Sequence, residues 1–288
     1  MTLSEFKYVE SEVISLLNQT LDTVKDKSFS DYVLLISRAG YQVENEGTFL
    51  SPYVLSSQLE VYQDITRERF SVEYLNSYAN LLRDNIFMTD EVKEFNLNLQ
   101  MMIYAQIWES HRLLKTLLRI GKILAGDPYE WKISFEYMNE KGKKKAYPKG
   151  KIMQDQILNV LAYSCPDLDK FIRQIYDSQL RNDFAHASYY IRLENNTICS
   201  LDSERYSINK KMDIADWEEM FINSVSLSYH LPRLLKERCN NFINDYPELK
   251  SVKIEMPSYL YPHKTRTVLI YPNKVLSGVE FTFQAPQV

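Results

Sequence analysis

The sequence predicts a mainly α-helical protein with a β-hairpin late in the chain and a small strand-containing appendage at its C-terminal end. Three observations predict this. Only 7 glycines stand against 21 tyrosines and 13 phenylalanines in 288 residues, which disfavours tight-turned all-β folds and favours aromatic packing between helices. Apolar residues recur at steps of three and four over much of the chain, the spacing of one buried helix face. Two late stretches exchange that rhythm for near-alternation, the spacing of a strand.

The elements follow in order. Residues 6–25 place Val9, Val13, Leu16, Leu17, Leu21 and Val24 on one stripe, an amphipathic helix. In 27–57 the segment YVLLI fits a short helix or a strand, and NEGTFLSP reads as a loop punctuated by Gly47 and Pro52. Helical spacing resumes over 58–87. Thr89 then caps a helix whose first turn, DEVKEF, is acidic, and which is expected to run to Leu124 before Gly126 and Pro128 stop it.

Residues 127–150 break helical periodicity and read as an inserted hairpin or loop. Helix returns at 153–164, and Pro166 occupies a first-turn position, opening a segment that runs through LRNDFAHASYY. YYIRLENNTICSLDSERYSI reads as a β-hairpin, 189–208, turning at Asn195-Asn196. Asp213 is expected to cap a last long helix, kinked at Pro232 and ending near Asn244. VKIEM, TVLIY and VEFTF then predict strands in 251–288.

Composition limits the functions open to the chain. A formal net charge of -4 argues against sequence-blind nucleic-acid binding over a broad surface, so contact with a polyanion must be local. Cys165, Cys199 and Cys239 are odd in number and widely spaced, which suggests neither a disulfide framework nor a zinc site and fits a reducing cytoplasm. The opening MTLSEFKYVESEV carries acids where a signal peptide needs an apolar core, and Lys115, Arg119 and Lys122 interrupt the most apolar helix. No membrane association is expected.

Several motifs are set aside. GKILAGD has the glycine spacing of a phosphate loop, but Asp127 stands where that loop needs lysine. His111, His230 and His263 are isolated, and no metal-ligand spacing occurs, so no metal or cofactor is expected. The six lysines between Lys141 and Lys151 read first as a solvated loop. With Tyr137 and Tyr147 nearby, Lys143, Lys144 and Lys145 are the candidate contacts to an RNA backbone.

The stretch LRNDFAH carries the chemistry. Arg181, Asn182 and His186 fall within six positions of an otherwise ordinary amphipathic segment. In a helix Asn182 and His186 share a face, whereas Arg181 projects roughly 140° away from His186. A second copy of the same helix across a two-fold axis brings guanidinium and imidazole groups together in one cleft. The competing structural reading pairs Arg181 with Asp177 one turn earlier and leaves His186 in a polar gap.

RNDFAH resembles the motif of the HEPN superfamily of helical-bundle proteins, in which Arg is followed by a polar residue and then by His after four to six intervening positions. The resemblance extends to arrangement over 153–244, with the helix from Thr89 as a bundle partner. It implies a HEPN-like antiparallel helical bundle over 89–247, containing the insertion 127–150 and the hairpin 189–208. Residues 1–88 form an N-terminal helical region of unassigned role and 248–288 a small β-containing tail.

Active members look like metal-independent ribonucleases, and the residues suit that reaction. RNA supplies its own nucleophile, so a base near neutral pKa is sufficient to start attack of the 2'-hydroxyl on the adjacent phosphate. The resemblance therefore implies His186 as acid–base, Arg181 as the cation that meets the charged phosphoryl oxygens, and Asn182 as an orienting or hydrogen-bonding group. It further implies a cytoplasmic homodimer with a composite active site, RNA as substrate, no cofactor, and a toxin or antiviral role restrained by an antitoxin or regulatory protein. The alternative is a non-catalytic HEPN-like module that binds a nucleotide, RNA or a protein.

Overall fold

The computed structural model describes residues 2–42, 51–55, 61–83, 89–138, 143–202, 207–258, 264–276 and 278–283. Helix dominates these residues, with small antiparallel sheets between and after the helices. No helix among them is long and apolar enough to cross a membrane.

Helix α1 (Leu3–Lys27) buries Val13, Leu17, Leu21 and Val24, the stripe its spacing predicts. The ambiguous YVLLI lies in α2 (Phe29–Ile36), where the Ser28 hydroxyl accepts the Asp31 N–H at 3.4 Å as N-cap. Tyr32 to Ile36 are all buried, so this stretch has no polar face to give a period. Strands β1 (Gly40–Tyr41) and β2 (Tyr53–Val54) pair antiparallel. Most of NEGTFLSP lies outside the described residues, as do both ends of the predicted helix 58–87, whose centre is α3 (Val61–Arg83).

Thr89 caps α4 (Asp90–Glu109), its hydroxyl accepting the Val92 N–H at 3.5 Å. The expected run to Leu124 is broken. Ser110 is extended (φ −66, ψ 109), and its hydroxyl accepts the Leu113 N–H, so α5 (His111–Ala125) starts afresh. Gly126, at φ +98, ends α5 in the left-handed region that side chains disfavour. Within α5, a Cβ at Gly121 would stand 2.7 Å from Val160 Cγ1, so the chain approaches its neighbour as only glycine allows.

The insertion contains a hairpin, β3 (Glu136–Met138) with β4 (Lys144–Ala146). A helical run follows as α6 (Lys149–Lys151), a π-helical stretch (Ile152–Leu158) and α7 (Asn159–Ser164). Pro166 opens α8 (Pro166–Ile175) as expected, but the helix does not continue through the motif. A break at Tyr176–Asp177 separates it from α9 (Ser178–Ala185), because the Asp177 carboxylate accepts the Leu180 N–H at 2.9 Å and caps a new helix.

The predicted hairpin consists of β5 (Tyr189–Arg192) and β6 (Thr197–Asp202), turning at Asn196 in the left-handed conformation. It is extended by β7 (Ser207–Asp213) into a three-stranded sheet, β5-β6-β7. Helix α10 (Ile214–Asp245) begins directly after it and carries Pro232 in its interior. VKIEM, TVLIY and VEFTF fall in β8 (Val252–Pro257), β9 (Thr265–Val275) and β10 (Gly278–Phe283), an antiparallel sheet of order β10-β9-β8. His263 lies outside the described residues.

Two compact units emerge. The first comprises residues 1–17, 63–114 and 166–230, the second 18–62, 115–165 and 231–288. The core of the first is aromatic: Trp217 meets Phe184 at 4.9 Å and Tyr104 at 5.2 Å between ring centroids, both edge to face. The Trp217 indole N–H donates to buried Gln100, whose own amide donates to the Tyr74 hydroxyl at 3.0 Å, so these three side chains satisfy one another. In the second unit Phe242 packs against Phe29, Tyr246 and Phe281, and Trp131 against Tyr53 and Tyr129.

Candidate active site

The candidate residues sit on and just beyond α9, in the first unit. Leu180, Asp183 and Phe184 form the buried face of this short helix, at the three- and four-residue steps that point one way. Arg181 is partly buried, and Asn182 and His186 are exposed. His186 is not inside the helix: it is the C-cap, at φ −105 and ψ 4, with its N–H still donating to the Asn182 carbonyl at 3.0 Å. Ala187 follows at φ 54 and turns the chain toward β5. The helical-face geometry expected of Asn182 and His186 therefore applies to the backbone only up to the last turn.

Arg181 and Asn182 are brought together. Arg181 Nη1 donates to Asn182 Oδ1 at 2.6 Å, which commits the amide oxygen and leaves the NH₂ group as the donor available to a ligand. The guanidinium Nη2 is ion-paired to Glu109 Oε1, and Arg181 Nε is buried without a partner among the described residues. Burial holds the Arg181 pKa below its usual value, and the Glu109 carboxylate supplies the counter-charge.

Asp177 is not the partner of Arg181. Its Oδ1 caps α9, and its Oδ2 is paired to the Lys210 ammonium on β7. The Tyr104 hydroxyl accepts the Asp177 N–H at 2.9 Å and donates to the Ile175 carbonyl at 3.1 Å, fixing the α8–α9 break from the side of α4. Beside it, burial and then the Asp177 charge push the Tyr176 phenol up to about 12, so this hydroxyl stays neutral.

Two functional neighbours escape sequence reasoning. Glu109 is the last residue of α4, remote in sequence, and nothing local marks it as the partner of Arg181. Asp183 lies inside RNDFAH and is 5% exposed. Its carboxylate accepts from the Ser200 hydroxyl on β6 and from Gln179 Nε2 at 2.9 Å, tying the motif helix to the following sheet. The available signal was its position: Asp183 stands three residues after buried Leu180 and beside buried Phe184.

Lys143 and Lys145 are exposed, Lys143 just before β4 and Lys145 on it, in the second unit; the Lys144 side chain lies outside the described set. His230 is buried, with Nε2 2.9 Å from Glu10 Oε1, which makes it a satisfied core histidine. Among the described residues, no group of three His, Cys, Asp or Glu side chains is placed to hold a metal ion.

The site thus offers an exposed imidazole, an amide, and a guanidinium turned toward a carboxylate. Comparison of the chain with protein-family models, curated proteins and solved structures returned no match.

Proposed function

We propose that the chain is a HEPN-type endoribonuclease of the cytoplasm. On this reading it cuts RNA without a metal, by 2'-hydroxyl attack that leaves 2',3'-cyclic phosphate and 5'-hydroxyl ends. The observation that carries it is the coupling of Arg181 to Asn182 with His186 solvent-exposed one turn later. Of the two His186 side chains in a dimer, one takes the 2'-hydroxyl proton and the other protonates the departing 5'-oxygen, while Arg181 meets the phosphoryl oxygens and Asn182 donates its NH₂ group to phosphate or histidine. Arg181 and His186 reach one phosphate when two copies face each other, so the enzyme acts as a homodimer with a composite site. Lys143, Lys144 and Lys145 contribute backbone contacts to RNA. Damage to the cell's own RNA makes this a toxin or abortive-infection effector, controlled by an antitoxin or regulatory protein.

The second reading is a non-catalytic HEPN-like module that binds a nucleotide, RNA or a protein. The ion pair with Glu109 favours it, since a guanidinium already neutralised is less available to phosphate. Incubation with single-stranded RNA in excess chelator separates the two. Cleavage that disappears in Arg181→Ala and His186→Ala proteins of unchanged fold supports the enzyme; binding without cleavage supports the module.

A further inference from the structure

Away from the motif, helices α1, α8 and α10 enclose a groove of about 550 Å³ within the first unit. Its apolar lining includes buried Val13, Ile175 and Met220, one residue from each helix. Glu12, Asp216 and Glu219 line it as well, all exposed, and no lysine or arginine is among the lining residues. Tyr8, 65% exposed, completes the lip.

We propose that this groove docks a basic amphipathic segment of a partner protein. The volume exceeds that of a small cation and suits a few apolar side chains entering between helices, the arrangement in which an amphipathic helix lies in a groove. The sign of the rim selects the occupant. Three carboxylates with no lysine or arginine among the lining residues leave a negative potential that lysines or arginines flanking the apolar anchors neutralise, and that an acidic segment is repelled by. Glu12 on α1 and Glu219 on α10 place that charge on two helices, as a segment lying between them requires. This inference does not rest on the ribonuclease reading.

The test uses the full chain and a fluorescent peptide of leucine and lysine, with leucines at three- and four-residue steps over about four helical turns. Anisotropy is expected to show saturable binding that weakens about tenfold in the double variant Glu12→Lys, Glu219→Lys, where close like charges replace attraction. Both positions are exposed, so the fold survives, and circular dichroism checks this. Asp216 is left in place because it lies in the first turn of α10, where a carboxylate stabilises the helix.

Glu94→Lys, an exposed reversal elsewhere on the first unit, is the control and should leave affinity unchanged. A photoreactive leucine analogue in the peptide should label residues 1–17, 166–175 or 214–230. The proposal is overturned by equal binding of the matching leucine–glutamate peptide, or by equal weakening in the control. It is also overturned by displacement with equimolar spermine, which would assign a small polyamine, or by a dimer of the chain that the double variant dissolves, which would assign a second copy.

Discussion

Glu109, the last residue of α4, holds Arg181 of α9 by an ion pair to the guanidinium. A carboxylate at the negative end of a helix is disfavoured, and the last turn of α4 has no basic residue of its own. Arg181 supplies that charge from a different helix. The pair therefore has a structural purpose that competes with any catalytic one, and Glu109→Gln separates them. Released from Glu109, the guanidinium is expected to raise cleavage of single-stranded RNA about two- to fivefold, the factor matching a partly exposed ion pair of under ~1 kcal/mol. Initial rates on a labelled oligonucleotide check this; an unchanged rate means that Glu109 does not restrain Arg181.

His186 and Arg181 should differ in what their loss costs the fold. His186 is an exposed C-cap, and His186→Ala is expected to change stability by less than about 0.5 kcal/mol while abolishing cleavage. Arg181→Ala removes a mostly buried side chain together with its ion pair to partly exposed Glu109 and is expected to cost about 1 kcal/mol in addition to activity. Urea denaturation beside the RNA assay reads both quantities.

Asp183 is expected to be the residue of RNDFAH on which the fold depends most. Asp183→Ala leaves the Ser200 hydroxyl buried without its acceptor, at a cost of about 1–3 kcal/mol. Ser200→Ala should be milder, because Gln179 still donates to the carboxylate. A larger loss of melting temperature for Ser200→Ala than for Asp183→Ala would contradict this assignment.

The acid limb of stability should involve Asp22. The Arg238 guanidinium beside it holds its carboxyl below the usual aspartate range, outweighing the effect of burial. With the folded-state pKa the lower one, this contribution is present above the ordinary aspartate value and is lost as pH falls through the depressed value. Asp22 is half-exposed, and solvent screening keeps the contribution under ~1 kcal/mol. Melting curves of Asp22→Asn should accordingly fall less steeply below about pH 4 than those of the parent.

The helices whose burial is one-sided were legible: the stripe of α1 and the Thr89 cap of α4 both stand where their spacing and side-chain chemistry place them. The strands of the C-terminal sheet were legible for the same reason, since β8 alternates buried and exposed residues. Breaks were harder. Ser110 and Asp177 each act as an N-cap inside a run whose apolar period continues on both sides, so periodicity passed over them. For the site, RNDFAH was visible because its residues are neighbours in sequence. The Glu109 and Ser200 partners were not, because only the fold brings α4, α9 and β6 together. The two compact units each gather three separate stretches of chain, an arrangement that needs no linker for composition to mark.

End chemistry tests the central claim most directly. A single-stranded RNA carrying a different fluorophore at each end is incubated with metal-stripped protein in excess chelator; the upstream fragment is resolved before and after acid opening and phosphatase, and the downstream fragment before and after kinase treatment. Self-attack by the 2'-hydroxyl predicts 2',3'-cyclic phosphate on the upstream fragment and a free 5'-hydroxyl on the downstream one, with neither formed by His186→Ala. Intact RNA, or fragments bearing 5'-phosphates that form only when a divalent metal is restored, would contradict it.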